Sequence, residues 1–259
     1  MIYPVILAGG VGRRLQPLST PEHPKQFHAL QSDKPIMIET INRVQSNIFH
    51  PPVIISHQSY ELKIRKLCED YHVHSYDLIL EPSQKNTCPA IMLAVTHIAK
   101  RDPNALILIL PTDHFVDSVT QFQNDIQDAA NACDDDHLVI FGSPTLTAET
   151  EYGYIQTYLG DLEKIIQFTE KPNLETAQTY VIDPQYFWNC GIVMGRATAF
   201  LNHMRKFQPK MLSHIEKGND FNDLENISFD NAILEQSSDI LVKKISFEWY
   251  DMGHWKNIS

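Results

Sequence analysis

The chain has 259 residues, 43% of them hydrophobic and 20% charged, with a formal net charge of −11 at pH 7. A chain this long buries roughly three quarters of its unfolded surface as one α/β domain and needs no disulfide or metal to hold a core, while the acidic balance argues against nonspecific nucleic-acid binding. Cys68, Cys88, Cys133 and Cys190 form no C-x-x-C pair and neither a signal peptide nor a long apolar span appears, so a reducing cytoplasm is the expected compartment and no membrane partner is expected.

The first element, Pro4 to Leu7, reads as a buried strand that runs straight into Gly9, Gly10 and Gly12. Lacking Cβ, these glycines let backbone N–H groups close on an anion, and Arg13, Arg14 and Lys25 add the full positive charges that loop dipoles lack. The run predicts a phosphate cradle. It is not a Walker loop, because Arg13 and Arg14 follow Gly12 where Lys-Ser/Thr is required. Nor is it the dinucleotide pattern, because Leu15 stands where the third glycine belongs. The plain alternative is a tight strand-to-helix turn.

Apolar runs at Val53 to Ser56, Leu78 to Leu80, Ala105 to Leu110 and Leu138 to Phe141 follow, alternating with helix-like stretches around residues 36–47, 59–70, 88–101 and 119–133. This alternation predicts a mostly parallel sheet covered on both faces, with ligands at the carboxyl ends of its strands. The glycine loop and Pro111-Thr112-Asp113-His114 both fall at such ends, so one crevice would hold both. Asp113 at a strand end is a natural ligand for a divalent cation, with helix N-capping as the plain alternative. The acidic triplet Asp134 to Asp136 reads as a solvated turn. His72, His74 and His114 lack the spacing of a zinc site. Further on, Tyr152 to Tyr158 and Lys164 to Phe168 read as paired strands, and helices are expected near residues 174–182, 196–206 and 229–237.

Six segments in order carry a resemblance. They are Leu7-Ala-Gly-Gly-Val-Gly-Arg-Arg-Leu-Gln-Pro-Leu-Ser19 with Pro24-Lys-Gln-Phe27, Glu81-Pro-Ser-Gln-Lys-Asn-Thr-Cys-Pro-Ala90, Leu110-Pro-Thr-Asp-His114, Phe168-Thr-Glu-Lys-Pro172, Trp188-Asn-Cys-Gly191 and Trp249-Tyr-Asp-Met-Gly-His-Trp255. Over nearly the whole chain this resembles the sugar-1-phosphate nucleotidyltransferase family, closest to its branch that uses GTP and mannose 1-phosphate. The resemblance implies an α/β fold, a Rossmann-like three-layer sandwich with a mixed, mostly parallel central sheet of the nucleotide-diphospho-sugar transferase type. It implies a single domain over residues 1–259, with a nucleotide-binding half to about residue 145 and a sugar-binding half from about residue 146.

In the reaction of that family an oxygen of a sugar 1-phosphate attacks the α-phosphorus of a nucleoside triphosphate and pyrophosphate leaves. The nucleophile is already an anion, so alignment and charge neutralisation, not a general base, carry the rate. The resemblance assigns Arg14, Lys25, Asp113 and Asp251 to catalysis, the two aspartates as ligands of Mg²⁺. It assigns Leu7, Gly9, Gly10, Gly12, Glu81, Asn86 and Thr87 to the nucleotide, to which Arg13 is added for its charge, and Gly153, Glu170, Lys171 and Asn189, beside Gly191, to the sugar phosphate. Asn86 and Thr87 have a plain reading as a helix N-cap ahead of Pro89. The chain departs from the family pattern at Val11, Arg13, Gln16, Lys85 and Cys190, changes that spare the charge and glycine chemistry but leave sugar and base preference open. Relatives often carry a further C-terminal domain, so the transferase domain alone is expected here, with homodimerisation left open. Another nucleotide and sugar pair, and a catalytically silent subunit that binds nucleotide sugar, remain as alternatives.

Overall fold

The computed structural model of the protein describes residues 1–253 and 255. Strand β1 (Ile2–Leu7) is flanked by parallel neighbours β2 (Val53–His57) and β4 (Leu106–Pro111), and β3 (Asp77–Glu81) extends β2 at the edge. Between them run α1 (Ile36–Arg43), α2 (Glu61–Asp70) and α3 (Thr87–Ala99). Short β5 (His114–Val116) leads into α4 (Val119–Ala132), which Ser118 caps by accepting a hydrogen bond from the Gln121 N–H. Then come β6 (Leu138–Pro144), β7 (Tyr154–Thr157), β8 (Glu163–Thr169), α5 (Leu174–Val181) and β9 (Tyr186–Arg196). After α6 (Ala197–Phe207), α7 (Pro209–Glu216) and α8 (Phe229–Ala232), β10 (Ile240–Lys244) and β11 (Trp249–Asp251) end the order.

Nine strands form one sheet in the order β3-β2-β1-β4-β9-β6-β10-β8-β7, and β5 and β11 form a separate two-stranded ribbon. The first half of the sheet is parallel. Antiparallel β9, set between β4 and β6, makes the sheet mixed, and β7 and β8 add further antiparallel pairs, a larger share than the first-half alternation alone suggests. Because β7 pairs with β9 as well as with β8, the pairings run β9-β7-β8-β10-β6 and return to β9.

Alternation along each central strand sorts side chains onto two faces. Val5, Ile107 and Ile109 pack with Ala90, Val95, Phe200 and Met204 on one side, whereas Ile6, Leu108 and Leu110 pack with Met37, Ile41, Phe122 and Ile126 on the other. Each large side chain buried in this way contributes about 1.5–3 kcal/mol, whereas a solvent-exposed pair such as Arg65 with Glu61 is screened by water and adds little. The two apolar layers, not the exposed ion pairs, therefore hold the fold.

Three expectations change. The helix expected over 229–237 stops at Ala232, because Ile233 at φ −129° and ψ −57° breaks it, and Leu234–Gln236 continues as a separate 3-10 turn. The helix expected over 36–47 ends at Arg43. In the acidic triplet only Asp134 organises a turn of its own, accepting from the N–H groups of Asp136 and His137, while Asp135 accepts from the Thr198 hydroxyl on α6.

Candidate active site

The carboxyl ends of β1, β3 and β4 converge on a cleft of about 450 Å³. One wall carries Leu7, Gly9, Gly10, Arg13 and Lys25, and the other carries Glu81, Asn86, Thr87 and Asp113. Nine of the expected residues thus share one cavity. Gln84, Lys85 and Asn226 line it too, and the first reaches across to donate from Nε2 to the Gly9 carbonyl at 2.7 Å. That contact joins the β3–α3 loop to the glycine loop, and only the proximity of the two strand ends in space brings it about.

Gly12 does not line the cleft. Its φ is +76°, and a Cβ there would stand 2.8 Å from Ser19 Oγ and 2.9 Å from Lys25 Cβ. The residue serves the turn that brings Lys25 over the cavity, in a conformation costly for any side chain. Ala8 is pinned from both sides, its carbonyl accepting from Gln26 Nε2 at 2.8 Å and Ser56 Oγ at 2.7 Å. The Pro-Lys-Gln segment thereby locks the end of β1 in place.

Glu81 is 4% exposed and closes the cleft beneath Gly9, where a Cβ would lie 3.0 Å from Glu81 Oε2. Its Oε1 is buried without a hydrogen-bond partner among the described residues, and burial pushes the carboxyl up to about 7. Asn86 caps α3, its side chain accepting from the Thr87 N–H at 2.9 Å, and the Thr87 hydroxyl accepts from the Phe229 N–H at 2.8 Å. The capping alternative for Asn86 is therefore realised, although both residues also face the cavity. Thr87 ties α3 to α8 as well.

The acidic pair is built by the ribbon. β11 runs antiparallel to β5 with Asp251 opposite His114, and the Met252 N–H donates to the Asp113 carbonyl at 2.7 Å. A point beside Gly253 lies 2.8 Å from Asp251 Oδ1, 3.4 Å from Asp113 Oδ2 and 3.5 Å from Arg14 Nη2, so both carboxylates and a guanidinium converge there. Lys25 forms an ion pair with Asp113, and Arg14 lies 3.9 Å from Asp251 and 3.3 Å from Glu151. Burial alone would raise the Asp113 carboxyl, but Lys25 and His114 hold it below the ordinary range. Burial and then the charge of Asp113 push Asp251 up to about 6. Two carboxylates facing each other out of water favour a cation between them. Asp113 does not cap a helix, since Ser118 fills that role for α4. His254 of the last motif lies outside the described residues.

A second cluster gathers on β7, β8, β9 and α8. A Cβ on Gly153 would stand 2.8 Å from Glu170 Oε2 and 3.4 Å from Asn189 Cβ, so the glycine is needed for the close approach of the three. Lys171 pairs with Glu170, and Asn189 donates from its backbone N–H to the Gly153 carbonyl at 2.8 Å. The four residues expected at the sugar are therefore together. Asp230, which the sequence reading passed over, joins them by accepting from Asn189 Nδ2 at 2.9 Å. Cys190 is buried with its thiol pushed well up by burial, consistent with a small apolar core residue.

Residues 3–259 match the family model described as Nucleotidyl transferase. Among curated proteins the chain is 32% identical to a mannose-1-phosphate guanylyltransferase of Klebsiella pneumoniae, the match covering 98% of this chain and 59% of that protein. It is also 32% identical to the alginate biosynthesis protein AlgA of Pseudomonas aeruginosa, covering 98% of this chain and 57% of the relative. The chain thus spans less than two thirds of the length of these relatives. Among solved structures, a mannose-1-phosphate geranyltransferase from Thermus thermophilus superimposes with a TM-score of 0.89 at 26% identity, over 99% of this chain and 77% of that one.

Proposed function

The chain belongs to the nucleotidyl transferase family, and we propose that it transfers a guanylyl group from GTP to α-D-mannose 1-phosphate, giving GDP-mannose and pyrophosphate with the help of Mg²⁺. The observation that carries the choice of base is Glu81, a buried carboxyl on the cleft wall with an unpartnered oxygen. Guanine presents two adjacent donors, N1–H and the 2-amino group, to which a carboxylate can accept twice. Adenine offers an acceptor at N1, and uracil and thymine offer a lone N–H between carbonyls, so each would leave a Glu81 oxygen unmatched and buried, a costly state.

In this reading the mannose 1-phosphate oxygen attacks the α-phosphorus of GTP in line, the bond from that phosphorus to the β-phosphate oxygen breaks, and pyrophosphate leaves. Gly9 and Gly10 let backbone amides approach the triphosphate. Arg13 and Arg14 grip its oxygens and the leaving pyrophosphate, and Lys25 offsets charge that builds at the α-phosphate. Asp113 and Asp251 fit a hard cation. They are two convergent, half-buried oxygen donors, and among the described residues no third His, Cys, Asp or Glu joins them, a sparse all-oxygen set of the kind that would suit Mg²⁺. When bound there, Mg²⁺ would neutralise the two anions that have to meet. Glu170, Lys171, Asn189 and Gly153 hold the sugar phosphate.

We read residues up to about 145 as the nucleotide half and the remainder as the sugar half of one domain. Thr87 with Phe229 is a point where the two halves touch. Among the described residues no helix is long and apolar enough to cross a membrane, and all four cysteines are free and buried, which suits the proposed cytoplasmic location. The test is pyrophosphate release with Mg²⁺ over a matrix of GTP, ATP, UTP, dTTP and CTP against mannose, glucose and related hexose 1-phosphates. Turnover concentrated at GTP with mannose 1-phosphate is expected. A maximum elsewhere would move the assignment to another pair, and silence from folded protein that binds nucleotide would point to a regulatory subunit.

A further inference from the structure

Asp230 sits in the first turn of α8, where Ser228 already supplies the cap by accepting from the Asn231 N–H. The four-residue helix has no need of another acid for its own sake. What Asp230 touches is Asn189, whose amide orientation is fixed from two sides. Nδ2 donates to Asp230 Oδ1 at 2.9 Å, and Oδ1 of Asn189 accepts from the Gly191 N–H at 3.1 Å. One N–H and one lone pair of that amide remain for another partner. Asp230 Oδ2 accepts no hydrogen bond from another described residue.

The same short segment holds a third carboxylate beside Asp230 and Glu170. Glu235, just beyond α8, accepts from the Glu170 backbone N–H at 2.9 Å and from Asn231 Nδ2 at 2.9 Å. Asp230 is bonded to Asn189, Glu170 approaches Asn189 across Gly153, and the two carboxylates are like charges close enough to repel. Burial and then the Glu170 charge push the Asp230 carboxyl up to about 6, an arrangement unfavourable to the fold. Two acceptors close to an amide with one free donor and one free acceptor match adjacent hydroxyls of a hexose, each able to give and take one hydrogen bond.

Resting on the reading of this cluster as the sugar side of a nucleotidyltransferase, we propose that Asp230 is a specificity-determining residue, accepting a hydrogen bond from one hydroxyl of the hexose 1-phosphate while it sets the Asn189 amide. The segment carrying it is docked on the start of α3 by Phe229 N–H to Thr87 Oγ1 and by Cys88 N–H to the Ile227 carbonyl at 3.2 Å. Sugar recognition is thus built on the same helix end that borders the nucleotide cleft.

The experiment pairs Asp230→Asn with mannose 1-phosphate and its 2-, 3-, 4- and 6-deoxy analogues in the pyrophosphate-release assay. Asparagine retains an amide oxygen for Asn189 but no longer offers a charged acceptor to the sugar. Its expected effect is a rise of about 10- to 100-fold in KM for mannose 1-phosphate, with KM for GTP within about twofold of the parent. The deoxy analogue lacking the hydroxyl read by Asp230 should be penalised in the parent and carry no further penalty in the variant. Deoxy penalties that all persist undiminished in Asp230→Asn, or an equal rise in KM for GTP, would overturn the inference. Should Asp230→Asn fail to fold, Asp230→Glu, which keeps the charge and displaces the oxygen, carries the same comparison. A parent chain that turns over no hexose 1-phosphate with any nucleotide would overturn the functional reading itself, and this inference with it, before any variant is made.

Discussion

Glu81→Gln keeps the size of a side chain that is 4% exposed and removes its charge. In the unfolded chain the carboxyl loses its proton near 4.5, whereas burial in the fold holds the proton to about 7. Below pH 4.5 both states are protonated and no difference arises. Above pH 7 both states are ionised but only the folded one buries the charge, a penalty of about 3.5 kcal/mol for about 2.5 pH units at about 1.4 kcal/mol each. The glutamine variant should therefore match the parent near pH 4.5 and exceed it at pH 8 by on the order of 5–10 °C in Tm. Catalysis should move the other way, because guanine loses a hydrogen bond to a charged acceptor, a loss of roughly 10- to 150-fold in kcat/KM for GTP. Inosine triphosphate, which lacks the 2-amino group, sharpens the test: the parent should prefer GTP to it by about tenfold or more, and the variant should scarcely distinguish them. Melting curves across pH and initial rates of pyrophosphate release measure both. A variant that is less stable at pH 8, or that uses GTP as well as the parent does, would refute the placement of Glu81 against the base.

Asp251→Asn should fold normally and lose about 100-fold or more of its turnover at saturating Mg²⁺, while an unchanged rate removes Asp251 from the mechanism. Lys25→Ala should cut kcat by about 100- to 1,000-fold with a smaller rise in KM for mannose 1-phosphate, and the reverse split would mark ground-state binding. Gly153→Ala places a Cβ 2.8 Å from Glu170 Oε2. Steady-state kinetics should show a higher KM for mannose 1-phosphate with GTP saturation unaltered, and a shift confined to GTP would contradict the grouping of Gly153 with Glu170.

The parallel half was legible because each of its strands is a short apolar run bounded by turn residues, and strand-to-ligand geometry follows from that pattern. β9 was not. Trp188 to Cys190 and Ile192 to Gly195 are buried almost throughout, so no polar alternation marks the strand, and a bulge opposite Ile140 and Gly142 interrupts its register. α7 starts at Pro209 directly after α6, and a proline there reads as a stop until the structure shows it in the first turn. Within the site, Gly9, Gly10, Lys25 and Asp113 could be placed from local sequence, whereas Asp230 could not. Its part comes from a hydrogen bond to a residue on β9, and Gln84 is likewise significant only because β1 and β3, one on each side of β2, end at the same cleft.

The two-stranded ribbon of β5 and β11 sets an order of events in the making of the protein. Asp113 emerges well over a hundred residues before Asp251, which reaches it only through pairings of Trp249, Tyr250 and Asp251 with β5. The nine-stranded sheet can form first, because the last strand it needs is β10, at Ile240–Lys244, whereas the apolar layer around Phe122 also takes in Phe247 and Trp249 and closes only with the ribbon. A nascent chain can thus have its sheet, and the cleft at the ends of β1, β3 and β4, before the second carboxylate has left the ribosome. The acidic pair is therefore completed after the sheet, by the same segment that brings Phe247 and Trp249 into the core.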